Sequence, residues 1–169
     1  MDKLDLALLK ALRDHPRAGP LELSRVTGVA RATVQSRIEK LEAAGVITGY
    51  GPDVDLNAAG FAVQAFVTLE IAQGALYEVR DELERHPAVV EAFATTGTSD
   101  VICRMAARTQ GEFQEALLEV NRSPHVARST SVVILSTVVA SRVPPLLARH
   151  ARGGGRAPAF RDAEAPRQG

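Results

Sequence analysis

The chain has one cysteine, no tryptophan and an aromatic content of only 4%. A lone cysteine rules out an internal disulfide framework and fits a reducing compartment. The formal net charge is zero, from 20 basic and 20 acidic residues, so no global positive field draws the molecule to a polyanion. There is no N-terminal apolar segment of leader type and no run of about eighteen apolar residues. The stretch Val132-Val-Ile-Leu135 stops at Ser136-Thr137, far short of a span. These features predict a protein that is neither secreted nor membrane-spanning, with a cytoplasmic, nucleoid-associated location. Chemistry is equally sparse. No Gly-rich phosphate loop follows a strand pattern and no nucleophile elbow occurs. His15, His86, His125 and His150 stand beside prolines or in loops, without partners at metal-ligand spacing. Cys103 shares a strand face with Val101 and Met105, where an apolar neighbourhood raises a thiol's pKa and leaves it inert. Asp100 and Glu91 are strand-end carboxylates of an ordinary kind. The sequence therefore predicts no enzyme, no catalytic residue, no metal and no cofactor.

What is present is concentrated between Leu21 and Gly45. One short helix, a turn at Gly28 and a longer helix follow in order. Leu21, Leu23 and Val26 supply apolar positions in the first. In the second, Val34, Ile38 and Leu41 repeat at i, i+4, i+7 and build one buried stripe. The opposite surface is assigned Arg31, Thr33, Gln35, Ser36, Arg37 and Lys40, donors with no carboxylate until Glu39. An amphipathic helix over about 2–14 (Leu4, Leu8, Leu9, Leu12), closed by His15-Pro16, completes a three-helix unit that can hold the longer helix in a major groove. Thr33, Gln35, Ser36 and Arg37 are expected to meet base edges, and Arg31 and Lys40 to meet phosphates. Residues 1–50 hold 8 basic and 6 acidic groups, residues 51–150 hold 8 and 12, and the remainder 4 and 2. A surplus of two per module is weak for phosphate binding and implies several modules acting together.

Beyond Gly45 the pattern changes. Residues 51–60 form a linker with turn signals at Asn57 and Gly60. From Phe61, a period-two strand (Val63, Ala65, Val67, Leu69, Ile71) leads to a helix over 75–86 with Leu76, Val79 and Leu83 on one side. Strands over about 89–96 and 100–108 follow, joined through Gly97, then a helix over 111–122 and a last strand over about 127–140. The order βαββαβ is the ferredoxin-like split unit, four antiparallel strands with two helices on one face. The other face, with Ala or Val on several strands, is open to burial against a second copy. The fold class is α+β, a winged, three-helix helix-turn-helix module over 1–50 followed by a ferredoxin-like domain over 61–142. Residues 143–169 form a tail, with one further helical turn near Pro145–His150. The segment 151–169, with a Gly triplet and four arginines, reads as disordered. It is either a solvated terminus or a clamp on DNA phosphates.

These motifs in this order resemble the Lrp/AsnC (feast/famine) transcription regulators over about residues 2–142. The resemblance is carried by Leu4-Asp5-x-x-Leu8-Leu9-x-x-Leu12, then Thr33-Val34-x-x-Arg37-Ile38-x-x-Leu41-Glu42-x-x-Gly45-Val46-Ile47-x-Gly49-Tyr50. Val67-x-Leu69, His86-Pro87, Val89-Val90-Glu91 and Gly97-x-x-Asp100 continue it. It implies dimers formed through the sheets, four of which often close into an octamer, with half-sites about one turn (~34 Å) or a multiple apart. It also implies a target that includes the protein's own promoter region. A small effector, commonly an amino acid, is implied between subunits near Gly97, Thr98, Ser99 and Asp100, with Ser131 a further candidate wall. A plain strand-to-strand turn is the competing reading of Gly97–Asp100. Two departures stand out. Ala30 replaces the serine that usually caps the recognition helix, leaving Thr27 or a phosphate to substitute. Thr98 stands where an acidic residue is frequent, which puts the usual ligand in question.

Three functions stay open on these residues. The first is a sequence-specific regulator that binds double-stranded DNA and senses a small molecule. The second is an architectural, chromatin-like DNA binder without an effector. The third is a small-molecule-binding or enzymatic ferredoxin-like domain with a helical partner-binding segment.

Overall fold

The computed structural model describes residues 1–149; the tail over 151–169 and His150 lie outside the described residues. The described residues divide into two compact units, Met1–Pro52 together with Ala140 and the described residues after it, and Asp53–Val139.

In the first unit, α1 (Lys3–Asp14), α2 (Pro20–Thr27) and α3 (Arg31–Ala43) surround a core of Leu4, Leu8, Ala11, Leu23, Val29, Val34 and Ile38. A capping box opens α1. The Asp2 carboxylate accepts from Asp5 N at 3.0 Å, and the Asp5 carboxylate accepts from Asp2 N at 2.7 Å. Pro20 occupies the first turn of α2, and Gly28 closes that helix in the left-handed region at φ 70°. α2 departs from the sequence expectation. Leu21 and Val26 are half exposed, and Leu23 and Thr27, one turn apart, face the core. Thr27 tolerates burial because its hydroxyl donates to the Leu23 carbonyl at 2.7 Å. α3 ends in a Schellman motif. Gly45 has φ 67°, Val46 N donates to Leu41 O at 2.9 Å, and Gly45 N donates to Glu42 O at 2.9 Å. The motif turns Ile47 onto the core. A short last helix, α6 (Pro144–Ala148), realises the expected late turn, and it packs against α1.

In the second unit the elements run β1 (Val63–Ile71), α4 (Leu76–Arg85), β2 (Val89–Ala94), β3 (Val101–Ala107), α5 (Gln110–Asn121) and β4 (Val126–Val133). The sheet order is β2-β3-β1-β4 and every pairing is antiparallel. This is the expected βαββαβ arrangement. Ala65, Val67 and Leu69 of β1 lie under the helices with Val101, Cys103 and Met105 of β3, and Val79, Leu83, Phe113, Ala116 and Val120 pack down on them. Burial pushes the Cys103 thiol up to about 11, as the apolar neighbourhood predicts. Two details differ from expectation. β4 ends at Val133, and Leu135 and Val138 are almost fully exposed. β-branched residues favour a strand only where a partner strand receives them, and after Ile134 N donates to Gln64 O no further ladder bond forms on this segment. Leu76 also lies on the rim of α4, 40% exposed, instead of joining Val79 and Leu83.

Candidate nucleic-acid interface and effector cleft

α3 is fixed on one side and bare on the other. Val34, Ile38 and Leu41 are buried, whereas Arg31, Gln35, Ser36 and Lys40 are exposed and Thr33 is half-buried. Gln35 Nε2 donates to Glu39 Oε1 at 2.9 Å, a surface bond that a base edge can replace. The turn ahead of α3 is locked by the Ser24 hydroxyl donating to Val29 O at 2.6 Å. Ala30 is the N-cap and no side chain caps α3, so Thr27, committed to Leu23 O, does not substitute. The first amides of α3 thus lack a side-chain cap, and backbone amides at a helix N-terminus together with the helix dipole favour an anion.

Arg37 does not stand on the open surface with the other donors. Its NH1 donates to Asp2 Oδ2 at 2.7 Å and to Asp5 Oδ1 at 3.0 Å, and its side chain is only 22% exposed. The expectation of an outward-facing Arg37 is corrected here. Arg37 is three residues from Val34 and four from Leu41, so it flanks the buried stripe, and two carboxylates at the start of α1 meet it there. Burial works against charge on both partners. For Asp2, the Asp5 amide and the Arg37 guanidinium outweigh it and hold the carboxyl below its ordinary value. For Arg37, the bonds to Asp2 and Asp5 likewise outweigh burial and raise the guanidinium further. At the far end of α3, the Tyr50 hydroxyl donates to Glu42 Oε1 at 2.6 Å and ties the segment after Gly45 to the helix. Partial burial and the Glu42 carboxylate push the Tyr50 phenol up to about 12.

In the second unit a cleft of about 300 Å³ opens beside the β2–β3 turn, lined by Ile71, Ala72, Gln73, Gly74, Leu76, Ala94, Thr95 and Asp100. Gly97 takes φ 119°, a conformation that side chains avoid. Thr95 N donates to Asp100 O at 2.8 Å and the Thr95 hydroxyl to Ser99 O at 2.8 Å, so the turn is self-braced. Asp100 Oδ2 accepts from Ile71 N at 2.8 Å, beside the irregularity in β1–β4 pairing at Glu70/Ile71. One carboxylate oxygen is therefore engaged in holding the end of β1. Of the five expected residues, Asp100 lines the cleft and Gly97, Thr98 and Ser99 form its adjoining turn. Ser131 pairs with Val67 on the edge strand and is not among the lining residues. The loop residues Ala72, Gln73 and Gly74 carry no sequence motif, and only the fold brings them to the site. Among the described residues no cluster of three or more His, Cys, Asp or Glu side chains could hold a metal, and no helix is long and apolar enough to cross a membrane.

The sheet face turned away from the helices carries Phe66, Phe93, Ile102 and Val132, with Gln64, Thr68, Thr130 and the pair Arg104–Glu91, whose Nε and Oε1 lie 2.9 Å apart. Phe66, Phe93 and Val132 are 42%, 55% and 62% exposed, a larger apolar surface than the Ala and Val expected there.

Comparison with known proteins agrees with both units. Residues 1–48 match the winged helix-turn-helix DNA-binding domain, and residues 64–144 match the Lrp/AsnC ligand binding domain. The HTH-type transcriptional regulator Rv2324 of Mycobacterium tuberculosis is 32% identical over 147 residues, 86% of this chain and 98% of that protein. The structure of E. coli AsnC superposes with a TM-score of 0.79 at 26% identity, over 86% of this chain and 99% of that one. The transcriptional regulator NMB0573 of Neisseria meningitidis, solved as an L-Met complex, shares the fold with a TM-score of 0.76 at 22% identity, over 83% and 94%. With a DNA-binding helix-turn-helix and a ligand-binding sheet unit matched in the same order, the chain belongs to the Lrp/AsnC family of transcriptional regulators, which are not enzymes.

Proposed function

We propose that this chain reads a specific DNA sequence through the outward face of α3, assembles through the open face of its sheet and binds an amino-acid-like effector in the cleft at Asp100. The observation that carries the reading is α3 itself. One face is fixed by Val34, Ile38, Leu41 and the Schellman close, while the other offers Arg31, Thr33, Gln35, Ser36 and Lys40 beside uncapped N-terminal amides. Gln35 suits bidentate bonding to adenine, and Thr33 and Ser36 suit either base type. Arg31 and Lys40 fit phosphates on the two flanks.

One module with a surplus of two positive charges holds DNA weakly, so a second copy supplies the missing affinity. Phe66, Phe93, Ile102 and Val132 give a face that a symmetric dimer would bury, placing two recognition helices against half-sites. In the cleft, the Gly97–Asp100 turn and the Ala72–Gly74 loop bracket space for a small zwitterion. The second Asp100 oxygen is suited to an α-ammonium group. The L-Met complex of the Neisseria meningitidis regulator of the same fold supports this class of ligand.

The test is a fluorescence-anisotropy titration at fixed salt with operator fragments selected from random DNA. The expected result is binding at least ~10³-fold tighter to the selected site than to scrambled DNA. Equal affinity for all duplexes would identify an architectural binder, and no binding would refute the reading. A thermal-shift screen across the twenty amino acids, repeated with Asp100→Ala, tests the effector. A ligand that binds only the native state raises the melting temperature by mass action. No shift at millimolar concentration would remove amino acids from the account.

A further inference from the structure

A polar cluster built on the first residues of α1 joins that helix to the recognition helix. Asp2 and Asp5 already satisfy each other's backbone amides as a capping box. Their remaining oxygens converge on a single Arg37 nitrogen, at 2.7 and 3.0 Å. All three side chains are substantially buried, at 22%, 16% and 9% exposure for Arg37, Asp2 and Asp5.

We infer that Arg37 is a positioning residue and not a DNA contact: it clasps α3 to the N-terminal capping box of α1 and thereby sets the angle at which Thr33, Gln35 and Ser36 meet the groove. Three observations carry this, and it rests on the DNA-binding reading given above. First, the apolar contacts of α3 run along a single stripe and define its distance from the core better than its rotation. A charged pair on the flank of that stripe fixes rotation, because charge-assisted hydrogen bonds are directional. Second, two carboxylates beside the guanidinium would repel an approaching phosphate, so this is a poor place for an arginine that contacts DNA. Third, Thr33 lies one turn before Arg37 on the same side of α3, so rotation about the clasp moves the base-reading residues directly.

The inference predicts opposite signs from the alternative. Asparagine keeps the cap at position 2, since it is as good an N-cap as aspartate. Asp2→Asn removes a negative charge near DNA, yet it should weaken operator binding about fivefold because the clasp loosens. If Arg37 instead contacts DNA, the same substitution frees it and binding tightens, which would overturn the proposal. Arg37→Gln should weaken binding about tenfold while leaving the salt slope of log K unchanged. A slope smaller by ~0.9 would mean a lost phosphate contact and overturn it as well. Because a single Arg37 nitrogen meets both carboxylates, Arg37→Lys can return one cationic nitrogen between Asp2 and Asp5 and should recover affinity to within about twofold and restore discrimination between operator and scrambled DNA. Failure of that rescue with an intact helical spectrum would count against positioning. The clasp itself is tested without DNA by a double-mutant cycle on thermal unfolding with Asp2→Asn and Arg37→Gln. Strong non-additivity is expected, and additive effects would contradict the contact whether or not the wild type binds DNA.

Discussion

The two units solve the same problem, presenting a binding surface on a rigid support, with different means. In the sheet unit, four strands share one antiparallel sheet, and among the described residues its core cluster holds twelve buried residues against seven in the helical unit. The cleft at Asp100 is built from loops whose ends are fixed by that sheet, and its acidic residue already braces β1. Among its described residues the helical unit contains no strand, and its helices bond internally. It orients α3 with a small core and adds polar devices at the ends: the Asp2–Asp5–Arg37 cluster, the Ser24–Val29 bond, the Schellman close and the Tyr50–Glu42 bond. The lesson is that a small helical module buys orientation with side-chain polar contacts where a sheet obtains it from its backbone.

Substitutions sharpen this contrast, beginning with the cores. Leu8→Ala should cost about 2–5 kcal/mol and, with so few other core residues to compensate, abolish DNA binding. Leu69→Ala should cost a similar amount in the sheet unit. Hydrogen exchange should show protection lost in α1–α3 for the first and in β1, β3 and β4 for the second. Uniform loss in both would mean that the units do not differ as described. Next in size is Gly28→Ala, which forces alanine into φ 70° and should cost about 1–2 kcal/mol, read as a lower melting temperature. Ala30→Ser should go the other way. It supplies the missing cap to α3 and should add about 1 kcal/mol of stability, with no gain indicating that Ala30 does not serve as the cap position.

The smallest effects are those of pH. Asp2 is held below its ordinary value, so its contribution is present above the unfolded carboxylate pKa and is lost as pH falls through the lower native value. Asp2→Asn should flatten the acid limb of the stability curve. Tyr50 has its native pKa raised to about 12, so its contribution is complete below the ordinary tyrosine range and is lost as pH rises toward that value. A spectrophotometric titration should show one late-ionising tyrosine that disappears in Tyr50→Phe. Cys103, pushed up to about 11, should resist alkylation near neutral pH until the sheet unit unfolds.

Most of the fold was legible because periodicity is a direct record of burial. The i, i+4, i+7 stripe of α3 and the alternation of β1 each named the residues that the structure buries. The failures have physical causes. Val26 supplies an apolar position in the sequence yet is half exposed, whereas Thr27 is buried, its hydroxyl bonding the carbonyl four residues back. Charge alone places Arg37 outward, although its spacing from Val34 and Leu41 puts it beside the stripe; the acids at positions 2 and 5, distant in sequence, reveal its partner. Propensity extends β4 to about residue 140, but propensity says nothing about whether a neighbouring strand exists. Of the cleft, the Gly97–Asp100 turn was visible from its glycine and aspartate. Ala72–Gly74 were not, since ordinary loop residues acquire a role only from what the topology brings beside them.

The most direct test of the central claim, that the outward face of α3 reads sequence, is selection of binding sites from random DNA by the wild type and by Gln35→Ala. The account predicts one enriched motif with paired half-sites for the wild type, and relaxed preference at a single position of each half-site for the variant, at a cost of about 1–3 kcal/mol there. An identical motif from both proteins, or no enriched motif from either, would contradict it.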